Sequence, residues 1–103
     1  MTTLETRDLY NRAIERYGIG AQVMKAIEEF AELTQALCKA SAAEGQAPER
    51  VAEIADNLSE EMADALIMWE QLLLIFGNSR DVSKWLERKK LRLEARLEAE
   101  SGE

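Results

Sequence analysis

A chain of 103 residues is one domain at most, and a hydrophobic content of 47% is more than one small bundle easily hides, so self-association is expected. Twenty acidic against thirteen basic residues give a formal net charge of −7, which argues against binding a nucleic-acid polymer. Histidine is absent, which removes imidazole bases and His-ligated zinc; the single Cys38 excludes an internal disulfide; and no signal peptide or long apolar run suggests export or a membrane span, so a cytoplasmic setting is expected.

Good helix formers dominate, the only proline is Pro48, and no strand-like alternation appears. The pattern predicts four helices. The first runs from about Thr3 to Tyr17, with Thr2 and Glu5 forming a capping box and Gly18 and Gly20 as its stop. The second runs from about Ala21 to Ala42, with Val23, Ile27, Phe30, Thr34 and Leu37 as its core stripe. A loop around Gly45 leads to Pro48, which suits the first turn of a third helix ending at Phe76 before Gly77. Its stripe is Leu58, Met62, Ala65, Trp69, Leu72 and Phe76. The fourth helix begins after a cap at Asn78, Ser79 or Asp81 and runs to about Ala99, with Val82, Leu86, Leu93 and Leu97 as its stripe and Lys90 interrupting it. The expected fold is an all-α four-helix bundle, a single domain with its core over residues 3–99.

One acidic pattern occurs twice, as Glu28-Glu29-Phe30-Ala31-Glu32 and Glu60-Glu61-Met62-Ala63-Asp64. Residues three apart share a helix face, so Glu29 with Glu32 and Glu61 with Asp64 form two oxygen-rich pairs. Two such pairs on facing helices make a four-carboxylate cage suited to a hard dication, above all magnesium or manganese. Glu61 falls inside the apolar arc of its helix, where an ionised carboxylate needs a partner. A structural ion pair, with Lys90 or another cation, is the plainer explanation. The acid pairs also fit a solvated face, with Lys25 offsetting Glu29.

Glu28-Glu29-x-x-Glu32 and Glu61-x-x-Asp64, with 28 residues between Glu32 and Glu61, resemble the motif of the MazG-like all-α nucleoside triphosphate pyrophosphohydrolases, small phage and bacterial members in particular. The strings Ala26 to Leu33, Gln35 to Lys39, Glu60 to Asp64 and Glu70-Gln71-Leu72 extend the likeness over roughly residues 9–98. The resemblance implies magnesium-dependent hydrolysis of a nucleoside or deoxynucleoside triphosphate to the monophosphate and pyrophosphate. It also implies homodimers or tetramers with sites at subunit contacts, in a bacterial or phage-infected cell. By position, Glu29, Glu32, Glu61 and Asp64 would be the metal ligands, with Glu28 and Glu32 orienting or deprotonating water. Lys90 first, then Lys89, Arg92 or Arg96, would hold phosphates. Trp69, Tyr10, Tyr17 and Phe30 are candidates to contact the base, although these also suit a plain core. The last helix lacks the asparagine that many relatives carry beside Lys89-Lys90-Leu91-Arg92. The competing expectations are an acidic helical protein-binding module and a degenerate relative that binds nucleotides without turnover. Trp85, off the main stripe, is expected at a subunit contact, and Cys38 is expected to be an inert packing residue.

Overall fold

The computed structural model describes residues 1–102, and among them there are four helices and no strand. Helix α1 spans Thr3–Tyr17, α2 Ile19–Ser41, α3 Pro48–Phe76 and α4 Ser79–Ser101. The local reasons for these boundaries are visible. Thr2 Oγ1 accepts a bond from the Glu5 amide at 3.1 Å and opens α1. Pro48 opens α3. Gly77 ends α3 in the left-handed conformation, φ +59°, with its amide donating to the Leu73 carbonyl. Between α1 and α2 the chain turns at Gly18 alone, φ +92°. Gly20 does not serve as a stop; it lies in the first turn of α2, which therefore begins two residues earlier than the sequence suggests.

The short connection 42–47 makes α2 and α3 an antiparallel pair, and this pair is the principal helix contact. The residues that meet are not the most apolar ones. Gln22, Ala26, Glu29 and Ala36 of α2 are buried, as are Ile54, Ala65, Met68 and Gln71 of α3. Small alanines let the two backbones approach closely, and amides fill the ends: Gln22 Nε2 donates to Gln71 Oε1 at 2.7 Å. Helix α1 packs against both partners through Tyr10, whose hydroxyl donates to Glu70 Oε1 at 2.7 Å.

The core stripe read from the sequence lies one residue off the true contact on α2, whereas on α3 Ala65 of the expected stripe is buried and Leu72 half-buried. Ile27, Leu37, Met62, Trp69 and Phe76 are exposed. Phe30, Val23 and Leu58 are half-buried, and Cys38 is exposed rather than packed. At about 100° per residue, the outward stripes of α2 and α3 lie on the same side of the antiparallel pair. Glu28, Glu32, Glu60 and Asp64 lie on the opposite side.

Helix α4 stands apart. None of its residues is buried, and its Leu86, Leu93 and Leu97 are about half exposed. The radius of gyration, 17.8 Å, exceeds the roughly 13 Å of a compact chain this long. The principal extents of 49 × 41 × 26 Å reflect that projection.

Candidate metal centre

The acidic cluster sits midway along the α2–α3 contact. One carboxylate oxygen each from Glu29, Glu32 and Glu61 lies within 4.8 Å of the other two. Glu29 comes from the contact seam of α2, which also carries Ala26 and Gln22, so the side chain is directed at α3 and is 7% exposed. Glu61 comes from the matching seam of α3, between Ile54 and Ala65, and is half-buried. Glu32 is one helical turn beyond Glu29 and reaches the cluster from the solvent side. The site is therefore closed at its base and open at one edge.

The electrostatics of this arrangement are unfavourable as it stands. Glu29 Oε2 and Glu61 Oε2 are both buried with no hydrogen-bond partner among the described residues. A carboxylate oxygen left so is costly. Loss of hydration pushes the Glu61 carboxyl above its ordinary range, and the charges of Glu32, Asp64 and Glu29 push it further. The nearest compensation is Lys25, whose Nζ is 3.1 Å from Glu29 Oε1. The hydrogen bond to Glu29 and then its charge raise the Lys25 ammonium above its ordinary value. Lys25 is on the exposed side and reaches Glu29 only, so the two inner oxygens remain unmatched. An oxygen-only donor set with buried free lone pairs suits a hard dication. Glu29, Glu32 and Glu61 are the residues that could hold one.

Asp64 is half-buried and near enough for its charge to act on Glu61, but it does not share the three-oxygen cluster. Glu28 is exposed on the side of α2 where Glu32 and Lys25 lie. Lys89, Lys90 and Arg92 are exposed on α4, and Lys90 pairs with Glu87 of its own helix at 3.2 Å. Trp69 and Lys89 line a groove between α3 and α4 that contains none of Glu28, Glu29, Glu32, Glu61 and Asp64. Tyr10 is buried at the α1 contact, Tyr17 is exposed, and Arg96 is exposed on α4. Trp85 is half exposed, with the Arg88 guanidinium 5.2 Å from its ring centre.

Lys25 offsets Glu29 as the sequence suggests, whereas Lys90, the first-named partner for the buried acid, pairs with Glu87 of α4 instead. The usable signal was the spacing: Lys25 and Glu29 are four apart on one helix face. Sequence reasoning missed the Tyr10–Glu70 and Gln22–Gln71 pairs, for which a single sequence carries no local signature. Among the described residues no helix is long and apolar enough to cross a membrane. Comparison of the chain with models of known protein families, with curated proteins and with solved structures finds no match.

Proposed function

We propose that this chain is a magnesium-dependent nucleotide pyrophosphohydrolase, a MazG-like enzyme that cleaves a nucleoside or deoxynucleoside triphosphate to the monophosphate and pyrophosphate. The observation that carries the reading is the pair of buried, unpartnered oxygens on Glu29 and Glu61 inside a cluster of three carboxylates. An acidic docking surface would be exposed and hydrated; two of these acids are turned into a helix contact. The motif order Glu28-Glu29-x-x-Glu32 and Glu61-x-x-Asp64 supplies the link to the enzyme class.

In this reading Glu29, Glu32 and Glu61 hold the metal, with Asp64 as a fourth ligand or an adjacent charge. When bound, a dication supplies charge neutralisation and Lewis-acid polarisation at the phosphoryl oxygens. Without that charge, carboxylates and a triphosphate repel each other. Water attacks the α-phosphorus; a new P–O bond forms as the bond to the bridging oxygen of the β-phosphoryl group breaks, and pyrophosphate leaves. The proton of the water passes to a carboxylate, Glu32 at the open edge or Glu28 beside it, so histidine is not needed. Lys25 holds Glu29 in place, and the cations Lys89, Lys90 and Arg92 of α4 are the phosphate-holding candidates. Trp69, expected from the sequence to contact the base, lies on the opposite side of the α2–α3 pair from the acids and has no part in this reading.

A panel of nucleoside and deoxynucleoside triphosphates, assayed for pyrophosphate with magnesium, tests this. Turnover of at least one member is expected, falling to background in Glu61→Gln and Glu29→Gln proteins that still fold. Absence of pyrophosphate from every member would overturn the enzymatic reading. If magnesium nevertheless raised the melting temperature through these residues, the chain would be a nucleotide binder instead.

A further inference from the structure

The two oxygens of Glu29 have different surroundings. Oε1 is 3.1 Å from Lys25 Nζ on the exposed side of α2. Oε2 is buried and has no hydrogen-bond partner among the described residues. A carboxylate disposed in this way is placed to bridge two positive charges, one on each oxygen. The outer position is already filled. Lys25 is held there by its spacing, since residues four apart meet on one helix face, and Glu29 is held by its burial in the α2–α3 seam. No second cation reaches the cluster. All four ion pairs among the described residues lie within single helices, and those of Arg12, Arg50 and Lys90 are with Asp8, Glu53 and Glu87.

The inner position is built differently. Three oxygens, one each from Glu29, Glu32 and Glu61, converge within 4.8 Å of one another, and Asp64 supplies none of them. One such convergence is a place for one ion. Three carboxylates and one ammonium leave two negative charges, which a single dication neutralises. We propose that the centre takes one dication per chain, on the inner oxygens, and that the Lys25 ammonium stands where a second metal ion would otherwise share the Glu29 carboxylate. This inference rests on the metal reading of the cluster and adds its stoichiometry and the residue that sets it. Lys25 then has two effects. It excludes a second ion from Glu29 Oε1, and its charge weakens the binding of the first.

Manganese titration of the full chain without nucleotide tests this, with free manganese followed by its paramagnetic resonance signal. The wild type should bind one manganese per chain. Lys25→Met removes a like charge beside the metal, and the ion should bind about three- to tenfold more tightly, the range set by solvent screening. Lys25→Glu replaces the ammonium with a carboxylate and should admit a second manganese. Lys39→Met removes the same charge about 15 Å further along α2 than Glu29 and should leave the affinity unchanged. Lys25 is exposed, so these substitutions leave the helix contact intact. Two manganese ions on the wild-type chain would overturn the proposal while leaving the metal centre in place. So would a Lys25→Met protein that binds manganese no more tightly than wild type, or a Lys25→Glu protein that still takes one ion. No bound manganese in wild type or in any Lys25 variant would overturn the metal reading and the proposal together.

Discussion

Glu29 and Glu61 show how the position of a residue on its helix sets its chemistry. Both belong to runs of acids, yet Glu28 and Glu60 beside them are exposed while Glu29 and Glu61 are carried into the α2–α3 contact. The consequence is a testable sign. With Glu61 above its ordinary range, first through lost hydration and then through its acidic neighbours, Glu61→Gln should raise the melting temperature in chelator, because a repelled charge is removed. The same substitution should abolish the rise expected of the wild type in magnesium; a variant less stable than wild type in chelator would contradict this. Tyr10 offers an independent check at high pH. Burial, the hydrogen bond to Glu70 and the Glu70 charge push its hydroxyl up to about 12. The folded-state value is above the ordinary 10, so the contribution of Tyr10 is fully present below pH 10 and is lost as pH rises toward 12. Thermal melts of wild type and Tyr10→Phe should converge over that range, after a cost of about 1 kcal/mol for the lost bond near neutrality. Parallel pH curves would mean that Tyr10 is not protonation-linked to folding.

At the scale of the element, helix number and most boundaries were legible in the sequence because their causes are local. Thr2, Pro48 and Gly77 act within a turn of their own positions, and each is where the chain needs it. The facing of the helices was not legible. The sequence favours the stripes with Ile27, Phe30 and Leu37 or Met62, Trp69 and Phe76, because apolarity is the only signal a helical wheel weighs. The α2–α3 contact instead uses the neighbouring seam of α2, with Ala26 and Ala36, against Ala65, the one member of the expected α3 stripe that is buried. Close packing explains the choice: small residues bring the backbones together, and the bulky stripe is left for another surface. That assignment predicts that Ala36→Leu, a substitution toward greater apolarity and higher bulk, destabilises by about 1–3 kcal/mol through overpacking, read by chemical denaturation. A neutral or stabilising result would mean that the contact at Ala36 is loose. The candidate site divides in the same way. The pairing of Glu29 with Glu61 follows from motif spacing and that of Lys25 with Glu29 from their four-residue separation, whereas the lesser place of Asp64 depends on how α2 and α3 are rotated.

For the whole molecule, the separation of faces is the organising feature. One side of the α2–α3 pair is apolar and continues into α4; the other carries the acids. Such a division leaves the acidic edge open on the side away from the apolar stripe. The position of α4 was beyond sequence reasoning, since no residue of its stripe of Val82, Leu86, Leu93 and Leu97 is buried within the chain. The claim on which the functional account depends is that Glu29, Glu32 and Glu61 together grip a hard dication. Anomalous diffraction from crystals of the wild-type chain grown with manganese measures it directly. The account predicts a peak among the carboxylate oxygens of these three residues that disappears in Glu61→Gln crystals. Manganese bound only elsewhere, or no peak with the three carboxylates still together, would contradict it.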